Sequence, residues 1–273
     1  MRVACIQCTA TDSLEENLAL LAPMIAEAAA EGATFITLPE NALLMASGEA
    51  FHTQVYPESE HPALAHLQEQ VVAHGIHLLI GSAHIKQGAD YPQDGKYVNR
   101  SLLIGPSGAI TARYDKIHLF DVSLPGGETH KESERFHGGS QAVVAPVGDW
   151  QLGLTICYDV RFPHLYTALA DAGAQMLTVP AAFTYTTGSY GHWHVLLRAR
   201  AIETGCYVIA PAQCGTHRNG RRTYGHSLII DPMGTILAEA AETPALIYAD
   251  CDRVNVTEAR TILPVLQNRR AFR

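Results

Sequence analysis

The chain opens on an alternating run, RVACIQC over residues 2–8, and then changes period. A period of two puts successive side chains on opposite faces of a strand, so residues 2–8 are predicted to form a strand with one covered face. Ser13 followed by Glu16 is a capping-box signature, and it opens an alanine-rich segment predicted to be helical to Gly32. The same reading gives a strand over 34–38, a helix over 61–74 and a strand over 77–84. The rhythm then shifts. Apolar runs at 98–104 and 109–114 flank Gly105-Pro106-Ser107-Gly108, and runs at 142–146 and 151–156 flank Gly148-Asp149; both are hairpin patterns. A helix over 163–172, a strand over 175–179 and a helix over 192–204 follow. Strands at 206–211, 227–231, 235–238 and 245–250 complete some ten strands and four helices. Two βαβ-like halves with inserted hairpins predict an α/β fold, mixed sheets stacked face to face with helices outside, a four-layer α-β-β-α sandwich. No linker, low-complexity tract or short repeat is read within it, so a single domain over residues 1–273 is expected.

Composition narrows the function classes. No apolar run approaches the eighteen or so residues of a membrane span, and the first residues lack a signal-peptide core, so a cytoplasmic protein is expected. The formal net charge of −8 argues against nucleic acid and anionic membrane as partners, both of which favour a basic face. The exception, Arg218 to Arg222, reads as a solvated loop. Six scattered cysteines without CxxC spacing read as reduced thiols. His118, His130 and His137 match no common metal-ligand spacing, and His192 and His194 would face different directions on a helix, so no metal is expected.

Three residues carry candidate chemistry. Glu40 and Cys157 each follow an apolar strand, where open α/β sheets build their sites. Pro39 stiffens the chain before Glu40; taken alone, that acid reads as an ordinary strand-end carboxylate. Cys157 sits where the strand breaks into a turn ahead of a helix, a placement in which helix-terminus amides and a nearby cation lower a thiol pKa toward neutrality. A buried small hydrophobe is the bland alternative, and it is applied to Cys5, Cys206 and Cys251. Lys116, among Ile117, Leu119 and Phe120, is either solvated at a sheet edge or turned inward as a fixed charge for an oxyanion.

In combination, Glu40 within LPE, Lys116 within YDKIHLFD and Cys157 within ICYDVRFP resemble the Glu-Lys-Cys triad of the nitrilase superfamily of carbon–nitrogen hydrolases. HKES around Glu132 is similar to that family's second glutamate motif, and residues 180–184, Thr187-Gly188 and His192-Trp193 to its substrate loop. The resemblance spans nearly the whole chain and implies the four-layer sandwich, no cofactor, and a homodimer or larger assembly through outer helices. It implies that Cys157 attacks an amide, Glu40 moves the proton, Lys116 and the Tyr158 N–H hold the oxyanion, and Glu132 orients the lysine, Glu40 or the amide. HLFDV and CYDVRFP most resemble the Nit-type amidases, which act on ω-amides of dicarboxylic acids and deaminated glutathione. That branch implies a substrate carboxylate held by Arg161, Phe183 and Thr187; for Arg161 the alternative is a salt bridge to Asp159 or Asp121. The same triad also serves nitrile hydrolysis, N-carbamoyl hydrolysis and acyl transfer, and a non-catalytic dimeric binding module is the rival from another class. CYDVRFP differs from the CWE of true nitrilases, and the lack of spans argues against the lipoprotein acyltransferase branch.

Overall fold

The computed structural model describes residues 1–87, 92, 94–125 and 127–271. In chain order the main elements are β1 (Arg2–Gln7), α1 (Leu14–Ala30), β2 (Phe35–Thr37), α2 (Pro62–His74), β3 (His77–Lys86), β4 (Tyr97–Ile104), β5 (Ile110–Asp115), β6 (Val143–Val147), β7 (Trp150–Leu154), α3 (Pro163–Asp171), β8 (Met176–Thr178), α4 (His192–Thr204), β9 (Tyr207–Ala210), β10 (Leu228–Ile230), β11 (Ile236–Glu239), β12 (Ala245–Asp250) and α5 (Arg253–Ile262). Ser13 caps α1 by accepting the Glu16 N–H, and α2 ends at Gly75 in the left-handed conformation. Both are ends that the local residues dictate.

Two sheets result, in the orders β12-β1-β2-β3-β4-β5 and β6-β7-β8-β9-β10-β11. Alternation decides which side chains meet where. Val3, Cys5, Phe35, Leu79 and Leu103 of the first sheet share one buried cluster with Leu152, Leu154, Met176 and Leu177 of the second. The intervening Ala4, Ile6, Ile36, Leu78 and Leu102 pack outward on Leu21 and Ile25 of α1 and on Leu67 and Val71 of α2. Leu165 and Leu169 of α3 and Trp193 and Leu197 of α4 cover the second sheet. The α-β-β-α sandwich expected from the strand pattern is the architecture observed.

The two sheets also repeat one plan, in line with the two βαβ-like halves expected from the strand pattern. Each runs antiparallel, parallel, parallel, antiparallel, antiparallel across its order. Thr37 pairs with Cys5 on one side and Leu79 on the other, as Thr178 does with Leu154 and Ile209. The sequence carries a trace of this, SLLIGPSGAITA at 101–112 against SLIIDPMGTILA at 227–238, and TLPE at 37–40 against TVPA at 178–181. Gly81 lets the two strand-end turns touch: a Cβ there would lie 2.0 Å from the Leu38 carbonyl oxygen and 2.5 Å from the Pro180 Cβ.

The elements not anticipated include a late helix, a hairpin and a turn helix. Helix α5 starts at Asp252, whose carboxylate accepts the Val254 N–H, a cap readable in the sequence. The strands Asp121–Ser123 and Thr129–Lys131 form a hairpin that delivers Glu132, but each is only three residues long and carries little periodicity. The turn helix Tyr185–Ser189 is wedged in place by Tyr224, whose ring Cγ would lie 2.1 Å from a Cβ at Gly188.

Candidate active site

Glu40, Lys116 and Cys157 come from segments far apart in sequence and meet at the carboxyl end of the paired sheets, beside a cavity of about 530 Å³. Glu40 is 3% exposed and fully bonded. Its Oε1 accepts from Lys116 Nζ at 3.0 Å and from Asn99 Nδ2 at 3.0 Å, and its Oε2 accepts from the Ala182 N–H at 2.8 Å. Lys116, which had two possible fates, is turned inward and 2% exposed. Its ammonium also donates to both oxygens of Glu132, at 3.0 and 2.8 Å. Glu132 in turn accepts the Phe120 N–H at 2.7 Å, so the lysine is held between two carboxylates.

Cys157 occupies a strained position, with φ of 45°, in a short 3₁₀ turn over Cys157–Arg161. A non-glycine residue stays in the left-handed region only when its surroundings enforce it. Here the Cys157 N–H donates to the Pro180 carbonyl at 2.9 Å, and Asp159, with no exposed surface, folds the turn back on itself. Asp159 Oδ2 accepts from the Ile156 N–H (2.9 Å) and the Tyr114 hydroxyl (2.7 Å). Its Oδ1 accepts the His118 N–H (3.0 Å) and lies 2.7 Å from His118 Nδ1. Tyr114 and His118 bracket Lys116, so one buried carboxylate ties the Cys157 turn to the lysine segment.

The electrostatics revise one expectation. Burial pushes the Cys157 thiol well above its ordinary pKa, and the Glu40 charge adds to this more than Lys116 and Arg221 offset it. The resting sulfur is a thiol, not the thiolate that a helix terminus was expected to favour. Burial alone would raise Glu40, but the charge of Lys116 first, then that of Arg221 and the Ala182 N–H, bring it down to about 2. Glu40 is thus ionised. Lys116 is held cationic, with both carboxylates outweighing its burial.

The remaining expected residues line the same cavity: Tyr158, Arg161, Phe183 and Thr187. Arg161 bridges to neither Asp159 nor Asp121 among the described residues; its Nη1 lies 3.4 Å from His192 Nδ1 and its guanidinium 5.4 Å from the Phe183 ring. Sequence reasoning missed four neighbours. Asn99, a polar residue inside a strand, bridges Glu40 and Glu132 and leaves its Oδ1 without a partner. Gln213 donates to the Glu40 carbonyl at 3.1 Å. Arg135 lines the cavity, as does Arg221, whose Nη2 donates to the Ala182 carbonyl. The stretch 218–222 was taken as solvated; Arg218 and Arg222 are indeed exposed and paired with surface acids, whereas the intervening Arg221 turns in.

A sequence profile described as carbon-nitrogen hydrolase matches residues 2–261. The chain belongs to that family. This carbon–nitrogen hydrolase is similar to deaminated glutathione amidase of Mus musculus, 42% identical over 98% of this chain and 83% of the mouse protein. Its fold is similar to that of the C. elegans NitFhit protein (TM-score 0.89, 34% identity), covering 98% of this chain and 65%, just under two thirds, of that longer one. It also resembles a variant of the amidase from Nesterenkonia sp. AN1 (TM-score 0.82, 28% identity, 99% and 94% covered), in which the acetamide moiety of fluoroacetamide is covalently added to the active-site cysteine. The hydrolase is thus an amidohydrolase acting on carbon–nitrogen bonds other than peptide bonds. None of its helices, among the described residues, is long and apolar enough to cross a membrane.

Proposed function

We propose that this amidohydrolase cleaves a small carboxylate-bearing amide through a thioester on Cys157. The observation that carries the reading is the buried Glu40 carboxylate, pinned by three donors beside both the Lys116 ammonium and the Cys157 thiol. Because the resting sulfur is protonated and Glu40 is not, attack and proton transfer proceed together. Glu40 takes the thiol proton as sulfur bonds to the carbonyl carbon. The oxygen becomes an alkoxide facing Lys116 and the Tyr158 N–H; one such donor is commonly worth about 3 kcal/mol. Glu40 passes its proton to the nitrogen, the C–N bond breaks and amine or ammonia leaves. A water then loses a proton to Glu40 and its oxygen adds to the thioester. The C–S bond breaks, the sulfur recovers its proton from Glu40, and the carboxylic acid is released. Glu132 holds Lys116 in place throughout.

Arg161 carries the carboxylate clamp in this reading, because its planar fork suits an acid and no carboxylate among the described residues pairs with it. Phe183 and Thr187 complete that wall. The mouse relative, a deaminated glutathione amidase, supports deaminated glutathione as substrate, with ω-amides such as 2-oxoglutaramate as the smaller members of the class. The six free cysteines support a reducing, cytoplasmic location. Val195 and Ile202, 67% and 41% exposed on α4, support a homodimer through the outer helices.

The test is to incubate the protein with deaminated glutathione and 2-oxoglutaramate, following amine or ammonia release and the intact mass. Turnover together with an acyl adduct that is absent in Cys157→Ala is expected. The absence of both turnover and an adduct with either amide refutes the reading. Arg161→Met is expected to raise KM for acidic amides far more than for neutral ones; equal losses reject the clamp.

A further inference from the structure

The cavity contains a cation that this reaction leaves unused. Arg135 follows the 3₁₀ turn Glu132–Glu134, and its backbone is fixed to the first sheet because its carbonyl accepts the Tyr97 N–H at 2.9 Å. Its guanidinium carbon lies over Phe51, 3.9 Å from the ring centroid, and the side chain lines the cavity. Among the described residues seven of the thirteen other arginines have acids, including Arg100 with Asp115 and Glu58, Arg218 with Asp12 and Glu16, Arg222 with Glu242, and Arg269 with Asp171. Arg135 has none among the described residues, and its Nη2 is buried without a hydrogen-bond partner.

Charge balance sharpens the point. Around the reacting centre Glu40 and Glu132 contribute two negative charges, and Lys116 and Arg221 two positive ones, so the cluster is neutral. At the rim Lys131 and Glu134 pair at 3.2 Å. Arg161 and Arg135 remain, each set against a phenylalanine, Phe183 in one case and Phe51 in the other. Arg161 belongs to the turn after β7 of the second sheet, and Arg135 to the segment that pairs with β4 of the first. A guanidinium taken partly out of water with an unfilled N–H is costly unless an anion completes it. An aromatic shelf beneath the fork fixes its plane for bidentate capture of a carboxylate.

We propose that Arg135 is a second carboxylate subsite, so that the preferred substrate is a dicarboxylate whose two acids lie on opposite sides of the scissile amide. The acid on the acyl side sits at Arg161, and the acid on the departing amine sits at Arg135. This rests on the thioester reading above. It adds that the enzyme selects its leaving group by charge, favouring amino-acid or peptide amines over ammonia or simple alkylamines.

Three secondary amides sharing one acyl group test it: N-glutarylglycine, N-glutarylglycylglycine and N-methylglutaramate, which lacks the second acid. In the wild-type enzyme at least one of the two dicarboxylates is expected to exceed the N-methyl amide in kcat/KM by about 10- to 100-fold, the range of a charge-assisted hydrogen-bond pair. Arg135→Met is expected to bring that ratio near one, chiefly through KM, with Arg135→Lys between the two. A wild-type enzyme that cleaves the N-methyl amide as well as either dicarboxylate overturns the subsite, whatever the variants do. So does an Arg135→Met protein that loses the same factor on all three, which marks a structural role. If the wild type cleaves none, it is the thioester reading that fails. Calorimetric titration of N-glutarylglycine and N-methylglutaramate into Cys157→Ala then still decides the subsite, with equal affinity for the two overturning it.

Discussion

The two halves of the sandwich hold equivalent positions to which they give opposite uses. Cys8 lies three residues past Cys5, and Cys157 three past Leu154, so the β1 and β7 registers make the two cysteines counterparts. By the same offsets Glu40 matches Ala181. Leu103 pairs with Ala112 as Ile229 pairs with Ala238, so Lys116 matches Glu242. Beyond β1 the chain stays extended: Cys8 bridges Gln213 and its carbonyl accepts the Cys214 N–H. Beyond β7 it breaks, because Asp159 captures the Ile156 N–H and forces the turn. At the place of Asp159 the first half has Ala10, whose N–H goes to Gln213 instead. Burial raises the pKa of both thiols, yet only Cys157 faces a carboxylate and an ammonium. The two cysteines are thus set apart by the turn two residues on and by what the opposite sheet presents to each.

The largest break in that comparison comes from removing the working partner. Cys157→Ala is expected to abolish turnover, with kcat down by about 10⁴-fold or more, read as product release under saturating amide. Lys116→Met is expected to lower kcat by roughly 10²- to 10³-fold, as loss of an oxyanion donor does, and to lower the Tm because two buried carboxylates lose their counter-charge. Asp159→Ala makes the second half like the first. It strands His118 and Tyr114, at a cost of about 3–5 kcal/mol, and is expected to lower kcat well before KM; denaturant titration and kinetics in parallel check both.

Smaller effects concern pH. Burial lowers His84 to about 3 and His61 to about 4, below the 6.5 of an unfolded histidine. The unfolded chain therefore takes up protons first, so stability is complete above pH 6.5 and is lost progressively as pH falls toward 3. Glu40, lowered to about 2, adds a loss beginning near 4.5, where the unfolded carboxylate protonates. His84→Gln is expected to flatten the upper part of this limb in a Tm-against-pH series. The smallest effects belong to the idle counterparts: Cys8→Ala and Glu242→Gln are expected to leave kcat within about twofold, as changes remote from the reacting atoms do. A large loss in either breaks the comparison.

Much of the arrangement was legible beforehand, and the exceptions share a cause. Alternation marked the strands and their covered faces, and Ser13 and Gly75 punctuated helices through bonds to near neighbours. LPE, YDKIHLFD and ICYDVRFP pointed to Glu40, Lys116 and Cys157 through resemblance. Asn99, Gln213, Arg135 and Arg221 escaped because each looks locally like a strand or loop polar residue. Their roles depend on a carboxylate or a cavity tens of residues away.

The sequence by itself determined the periodicities, the caps and turns, and the residue types available for amide chemistry, since these depend on bonds and contacts within a few positions. Only the tertiary structure decided which of two equivalent cysteines meets a carboxylate and an ammonium, that its sulfur rests as a thiol, and that Arg221 faces inward while Arg218 and Arg222 face water. Burial and Coulomb interactions are sums over neighbours in space, and here those neighbours come from opposite sheets.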